Sequence, residues 1–336
     1  MEIYNNDGYL NIDDIAQHSS WLKVILGARQ IGKTYGVLKY HLDHDIPHIL
    51  LRRTTAELEL IGGSAELNPY QAFEPEYHVA IFKSGKYYTI NDYDEGGKLG
   101  ARGLALSLAQ ISHIRGFNGS AYQSIIFDEF IPEKGSYRLT TEGDSLLNAY
   151  TTINGNRELQ GQPPCTLWLL ANSNDINSPI LEALRLTDDV LTMRRKGKEL
   201  FYTDDTLILQ PASARILTQR KEGALARKIN GRGEFYDMAY NNDFAYDYNP
   251  LVAPTTLRGK KPLFSYDGEM YAWEDSTGIY ICRAPHDVNP YGGRGYDRGQ
   301  LLADYLWLKR YYAEGLVTFS DLRLLAMFRN IFDIRY

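Results

Sequence analysis

The 336-residue sequence carries 42 acidic and 36 basic side chains, a net charge of −6, with 44% hydrophobic and 23% charged residues. That balance excludes wholesale disorder and a basic domain that coats nucleic acid, but leaves room for a local basic patch. Cys165 and Cys282 are too few for a disulfide framework or a four-cysteine zinc site, no secretory signal is visible, and no run approaches the ~20 apolar residues of a membrane span, so reduced thiols, a cytoplasmic location and no membrane partner are expected.

Residues 1–20 read as a surface arm or a short first helix. WLKVIL, 21–26, is a compact strand that feeds directly into GARQIGKT, Gly27 to Thr34, and the Val37, Leu38 and His41 spacing after it suits a helix. HILLRR, 48–53, is a second buried strand, and residues 77–92 alternate in strand fashion. Residues 95–120, rich in Gly, Ser and Ala, read as loops around a short helix. SIIFDEF, 124–130, is a buried strand ending in two carboxylates, 144–158 a helix and TLWLLAN, 166–172, the next strand.

Strands interleaved with helices predict an α/β domain over 1–205, its mostly parallel sheet covered on both faces. Between 194 and 232, ten basic residues stand against four acids. Residues 206–243 are therefore expected to form a basic linker or lid, helical over 212–230. A small α+β domain is expected over 244–336, with a meander at 262–283, a flexible loop at 289–299 and an amphipathic helix at 300–334.

GARQIGKT matches G-x-x-x-x-G-K-[ST]. Its glycines let backbone N–H groups converge on phosphate oxygens at a helix N-terminus. Gly27, Ala28, Arg29, Gln30, Ile31, Gly32, Lys33 and Thr34 are thus the expected ATP-binding loop, with Lys33 on the β and γ phosphates and Thr34 offering a hydroxyl to Mg2+. Asp128 is the expected second metal residue and Glu129 the base that polarises the attacking water. The alternative for two acids at a strand end is a solvated tip. Asn172 can sense the γ-phosphate or simply form a turn. Arg157, in NGNRE, either supplies a cation to a neighbouring subunit's transition state or pairs with Glu158 on the surface. His113, Arg115 and Lys134 stand in loops where ring motors carry pore loops; the alternative is solvated charge. The acids Asp267, Glu269, Glu274, Asp275 and Asp287 fit hairpin turns better than a nuclease metal cluster.

GARQIGKT, IIFDEF, NRE and LLANSN, in that order and spacing, together with FSYDGEMYAWEDSTGIYI and APHD, resemble the DNA-packaging (encapsidation) ATPases of small tailed phages with protein-primed linear genomes. The resemblance covers essentially the whole chain. It implies an additional-strand, catalytic-glutamate ATPase domain that assembles as a pentameric ring, docked at the procapsid portal vertex in the host cytoplasm. It also implies a linker or lid, and a C-terminal domain resembling a degenerate RNase-H-type nuclease that does not cut. Double-stranded DNA, the portal or connector protein, a scaffolding packaging RNA and further copies of the chain are the implied partners, and ATP and Mg2+ the implied ligands. Arg157 would act in trans, and Lys134 would face the DNA channel. Where relatives place a lysine two positions after the RR pair, this chain has Thr55 after Arg52 and Arg53. The competing readings are a small-molecule P-loop kinase and a non-catalytic, nucleotide-bound assembly protein.

Overall fold

A computed structural model describes residues 1–85, 87–111, 119–132, 141–172, 178–212, 214–228, 236, 251–252, 256–283 and 294–334. Two sheets organise them. The first has nine strands: β1 Leu22–Gly27, β2 His48–Arg52, β3 Val79–Ser84, β4 Tyr87–Asp94, β5 Gly97–Ser107, β6 Ser124–Asp128, β7 Thr166–Asn172, β8 Leu200–Tyr202 and β9 Thr206–Leu209. Their spatial order is β3-β4-β5-β2-β6-β7-β1-β9-β8. β5, β2, β6, β7, β1 and β9 run parallel; β3 and β4 add an antiparallel hairpin at one edge, and β8 closes the other edge antiparallel to β9. β7 stands between β1 and β6, so one additional strand separates the phosphate loop's strand from the strand that carries Asp128.

The central strands are near-continuous apolar runs because both faces are covered. Val24, Leu26, Phe127 and Leu169 face a core closed by the helices Glu142–Asn154, Pro179–Ala183 and Thr187–Arg195. Their neighbours Ile25, Ile126, Trp168 and Leu170 face a second core, closed by Ile12–Ala16, Lys33–Asp43 and Thr55–Gly63.

Three expectations change. The Gly- and Ala-rich stretch after residue 95 contains the eleven-residue strand β5 rather than loops. Tertiary pairing overrides the composition, and the small residues serve it. A Cβ on Gly103 would lie 2.2 Å from the His48 carbonyl oxygen, so this close strand approach needs glycine there. The boundary at 205 falls inside the sheet, because TLIL pairs parallel with β1 as β9. Ala214 and Leu217, at the short helix Arg215–Lys221, bury in the same core, so that part of the basic segment is body rather than linker. Residues 300–334 are not one helix. Arg298–Tyr305, Leu308–Ala313 and Leu322–Ile331 are interrupted by β14, Val317–Phe319, which adds to the sheet edge after a left-handed Gly315.

The second sheet has the order β13-β10-β11-β12-β14, built on the meander β10 Lys261–Tyr266, β11 Met270–Asp275 and β12 Gly278–Cys282, with β13 at Arg294–Tyr296. The three C-terminal helices pack on one face through Phe264, Ile281, Leu308, Phe319 and Phe328, an α+β arrangement. The two units meet through charge. Asp188 accepts from Arg283 at 2.6 Å and Arg323 at 2.9 Å, and Glu182 accepts from Asn330.

Beneath β2 and β6 lies a buried polar chain. His41 pairs with the Val37 carbonyl and Ser124 Oγ, and His48 with the Ile46 carbonyl and Tyr70 OH, at 2.6–2.9 Å. Burial pushes the His41 imidazole down to about 3 and that of His48 to about 4. Both folded values lie below the unfolded 6.5. The unfolded chain therefore takes up protons first, and this contribution is complete above pH 6.5 and lost as pH falls. Between pH 7.5 and 5.0 each histidine should cost about 2 kcal/mol of stability. In denaturant titrations His48→Gln should recover about half of that loss; an unchanged pH slope would show that the histidines do not carry it.

Candidate nucleotide site

β1 ends at Gly27, and the helix Lys33–Asp43 starts six residues later, capped by Gly32 at φ +89°. That left-handed turn favours glycine and lets the loop close tightly. Gln30 also has a positive φ, +61°. Gly27 to Thr34 thus forms one strand-to-helix loop, as its pattern requires. Lys33 is buried, with its ammonium donating to the Gly27 carbonyl at 2.9 Å, the Ala28 carbonyl at 2.7 Å and Asn172 Oδ1 at 3.1 Å.

Parallel pairing brings the remaining groups to the same edge. Gly27 stands level with Asn172, and Asp128 with Leu170. Thr34 Oγ1 donates to Asp128 Oδ1 at 2.8 Å. These are hard oxygen donors brought together at one sheet edge, a set that fits Mg2+ held by few protein groups together with phosphate oxygens. Glu129 follows at φ +56°, a strained conformation worth on the order of 1–3 kcal/mol that the surrounding structure must hold. Phe130 supplies the hold, being fully buried with its N–H on the Leu170 carbonyl. The kink turns the Glu129 carboxylate outward, 57% exposed, toward the Arg52 guanidinium that also holds Asp128.

Sequence reasoning did not assign Arg52. It ends β2, next to β6, and its Nη1 lies 2.8 Å from Asp128 Oδ2 and 3.5 Å from Glu129 Oε2. Arg53 turns the other way and is buried against Glu142 at 2.6 Å. Both arginines are therefore committed to carboxylates of their own subunit. The available signal was a basic pair closing a strand that pairs with the acid-bearing one. Thr55 bonds Ser107 Oγ, and Thr54 forms a capping box with Glu57.

Arg157 is not brought to this edge. It is buried, neither on the surface nor ion-paired with Glu158. Nε donates to the Pro163 carbonyl at 3.0 Å, and Nη1 to those of Ser120 at 3.2 Å and Tyr122 at 3.4 Å. Glu158 accepts instead from Asn154. Those carbonyls precede β6 and β7, so Arg157 sits at the opposite end of the parallel strands from its own phosphate loop. His113, Arg115 and Lys134 lie outside the described residues. Of the C-terminal acids, Glu269 pairs with Arg323, and Asp275 with Lys260 and Thr277; Asp287 lies outside the described residues. No described helix is long and apolar enough to cross a membrane.

The profile of the podovirus DNA encapsidation protein (Gp16) matches residues 4–288. The chain belongs to this family. The DNA packaging proteins of Bacillus phages phi29 and PZA are each 28% identical to this chain over 295 residues, covering 84% of it and 79% of theirs. Among solved structures, the Phi-28 gp11 DNA packaging motor superposes at TM-score 0.61, with 15% identity over 98% of this chain and 100% of that one. The bacteriophage Phi-29 genome packaging motor assembly gives 0.58, with 21% identity over 96% and 99%. At those identities the likeness is one of fold.

Glu129→Gln keeps the side chain's shape and removes its basicity. ATP should bind this variant with near-wild-type affinity while hydrolysis falls by at least ~10². Lys33→Ala should weaken binding itself. Hydrolysis at the normal rate by Glu129→Gln would remove Glu129 as the base.

Proposed function

We propose that the chain is the ATP-hydrolysing subunit of a ring motor that drives double-stranded DNA into a viral procapsid. The observation that carries this reading is the convergence of Lys33, Thr34, Asp128, Glu129 and Asn172 on one sheet edge in a chain of the encapsidation family. Lys33 and the loop N–H groups would hold the phosphates, and Thr34 and Asp128 the Mg2+. When bound, that ion would neutralise developing charge on the phosphates. Glu129 would take the proton of the attacking water, and Asn172, already on Lys33, would sense the γ-phosphate. An outward carboxylate beside the metal residues favours water over a metabolite acceptor, which argues against the kinase reading. A purely structural nucleotide would leave that carboxylate without a task.

In this reading the ring is a pentamer seated on the portal, with a packaging RNA as a further partner, in the host cytoplasm. The C-terminal unit acts as a nuclease-like domain without nuclease activity, a role favoured by the commitment of Glu269 and Asp275 to ion pairs. Lys134, Arg115 and His113 remain the proposed DNA contacts. The test is ATPase rate with and without long duplex DNA. Strong stimulation is expected; phosphoryl transfer to a small molecule, or no turnover at all, would overturn the motor.

Arg157 serves this reading only from a neighbouring subunit. Arg157→Ala should abolish DNA-stimulated hydrolysis without preventing ATP binding, and so should differ from Lys33→Ala. Mixing the two inactive variants creates some interfaces with an intact loop and an intact arginine. Part of the ATPase should return, since such a cation is worth ~10³ or more in rate. Zero recovery in mixtures shown to co-assemble would leave Arg157 as an internal brace for the loops before β6 and β7.

A further inference from the structure

Beside the phosphate loop lies a cavity of about 690 Å³ whose walls come from two places. One wall is the loop and its helix: Gln30, Gly32, Tyr35, Gly36 and Lys39. The other is the N-terminal arm, including Tyr9, Asn11 and Asp13. The arm is fixed there. Leu10 N–H donates to the Ile31 carbonyl at 3.1 Å, and a Cβ on Gly32 would lie 3.5 Å from the Tyr9 ring.

We propose that this cavity receives the nucleoside end of the nucleotide, ribose and base, with the arm as its outer wall. The assignment rests on the nucleotide-site reading above. Position supports it, because Gln30 and Gly32 belong both to the phosphate loop and to the cavity. Size supports it, because the volume lies within the usual range of small-molecule sites.

Charge decides which end of the nucleotide enters. Asp7, Asp13 and Asp43 line the cavity, and its one lysine, Lys39, is occupied by Asp43 at 2.7 Å and Glu76 at 3.0 Å. Carboxylates repel phosphate. They accept hydrogen bonds from ribose hydroxyls and from an exocyclic amino group such as that of adenine. Tyr9 and Tyr35 present aromatic surface, 39% and 52% exposed. Stacking a base on such a ring is worth about tenfold or more in affinity.

The test is calorimetric binding to the full chain, with two magnesium-loaded probes, ATP and inorganic tripolyphosphate. Tyr9→Ala should weaken ATP at least about tenfold and leave tripolyphosphate unchanged. Tyr9→Phe should restore ATP binding, because the ring is what matters. Lys33→Ala should weaken both probes. Equal losses for both probes in Tyr9→Ala would mean that the arm props the loop and does not contact the base, which overturns the proposal. Normal ATP binding by Tyr9→Ala would overturn the cavity alone and leave the phosphate site standing. An unaltered chain that binds neither probe would overturn the nucleotide reading and the cavity with it.

Discussion

The parallel pairing of β6, β7 and β1 is the constraint on which the site depends. Three apolar strands with the same polarity must end at the same edge, and each ends on a polar residue: Asp128, Asn172 and, through the loop, Lys33. Registers of Gly27 with Asn172 and Asp128 with Leu170 place these groups within hydrogen-bonding reach across the sheet. A one-residue slip would send every side chain of a strand to the other face. Two cores, one on each side of the sheet, make that slip prohibitive.

Charge within the body is distributed with equal economy. The adjacent arginines closing β2 divide their work, Arg52 on Asp128 and Glu129, Arg53 on Glu142. Glu142 is the first residue of the helix that covers one face of the sheet. β2 therefore ties the edge that carries Asp128 to that helix through the part-buried Arg52–Asp128 pair and the buried Arg53–Glu142 pair. Removing one partner of the buried pair leaves a stranded charge, usually a loss of about 3–5 kcal/mol. The joint between the two units is of a different kind: Asp188, on a helix of the first unit, holds Arg283 and Arg323 of the second at an exposed site, where water screens the charges.

Much of the edge that joins Lys33, Thr34 and Asp128 was legible because its signals are local. A Gly-x-x-x-x-Gly-Lys-Thr loop between strand and helix, and an Asp-Glu pair closing IIFD, dictate their own geometry. β5 was not legible, since Gly97, Gly100 and Gly103 argue against a strand until β2 and β4 are seen to pair with it. β9 was hidden in a basic segment because its TLIL run is only four residues long. Arg52 was visible as a residue but not as a partner, because adjacency of β2 and β6 is a property of strand order. Burial of Arg157 likewise depends on carbonyls at 120, 122 and 163, which no local pattern announces.

Strand polarity also bears on assembly. The phosphate loop lies at the C-terminal ends of the parallel strands, and Arg157 is anchored before their N-terminal ends. β6 alone separates the two by five residues at about 3.3 Å each, beyond any arginine's reach within one subunit. If Arg157 is to meet a nucleotide, two copies must stack head to tail, one subunit's N-terminal strand ends against the other's C-terminal edge. Such a contact is heterologous, and heterologous contacts close only as rings or continue as filaments. An Arg157 that acts in trans thus requires this head-to-tail contact, and a ring is its closed form.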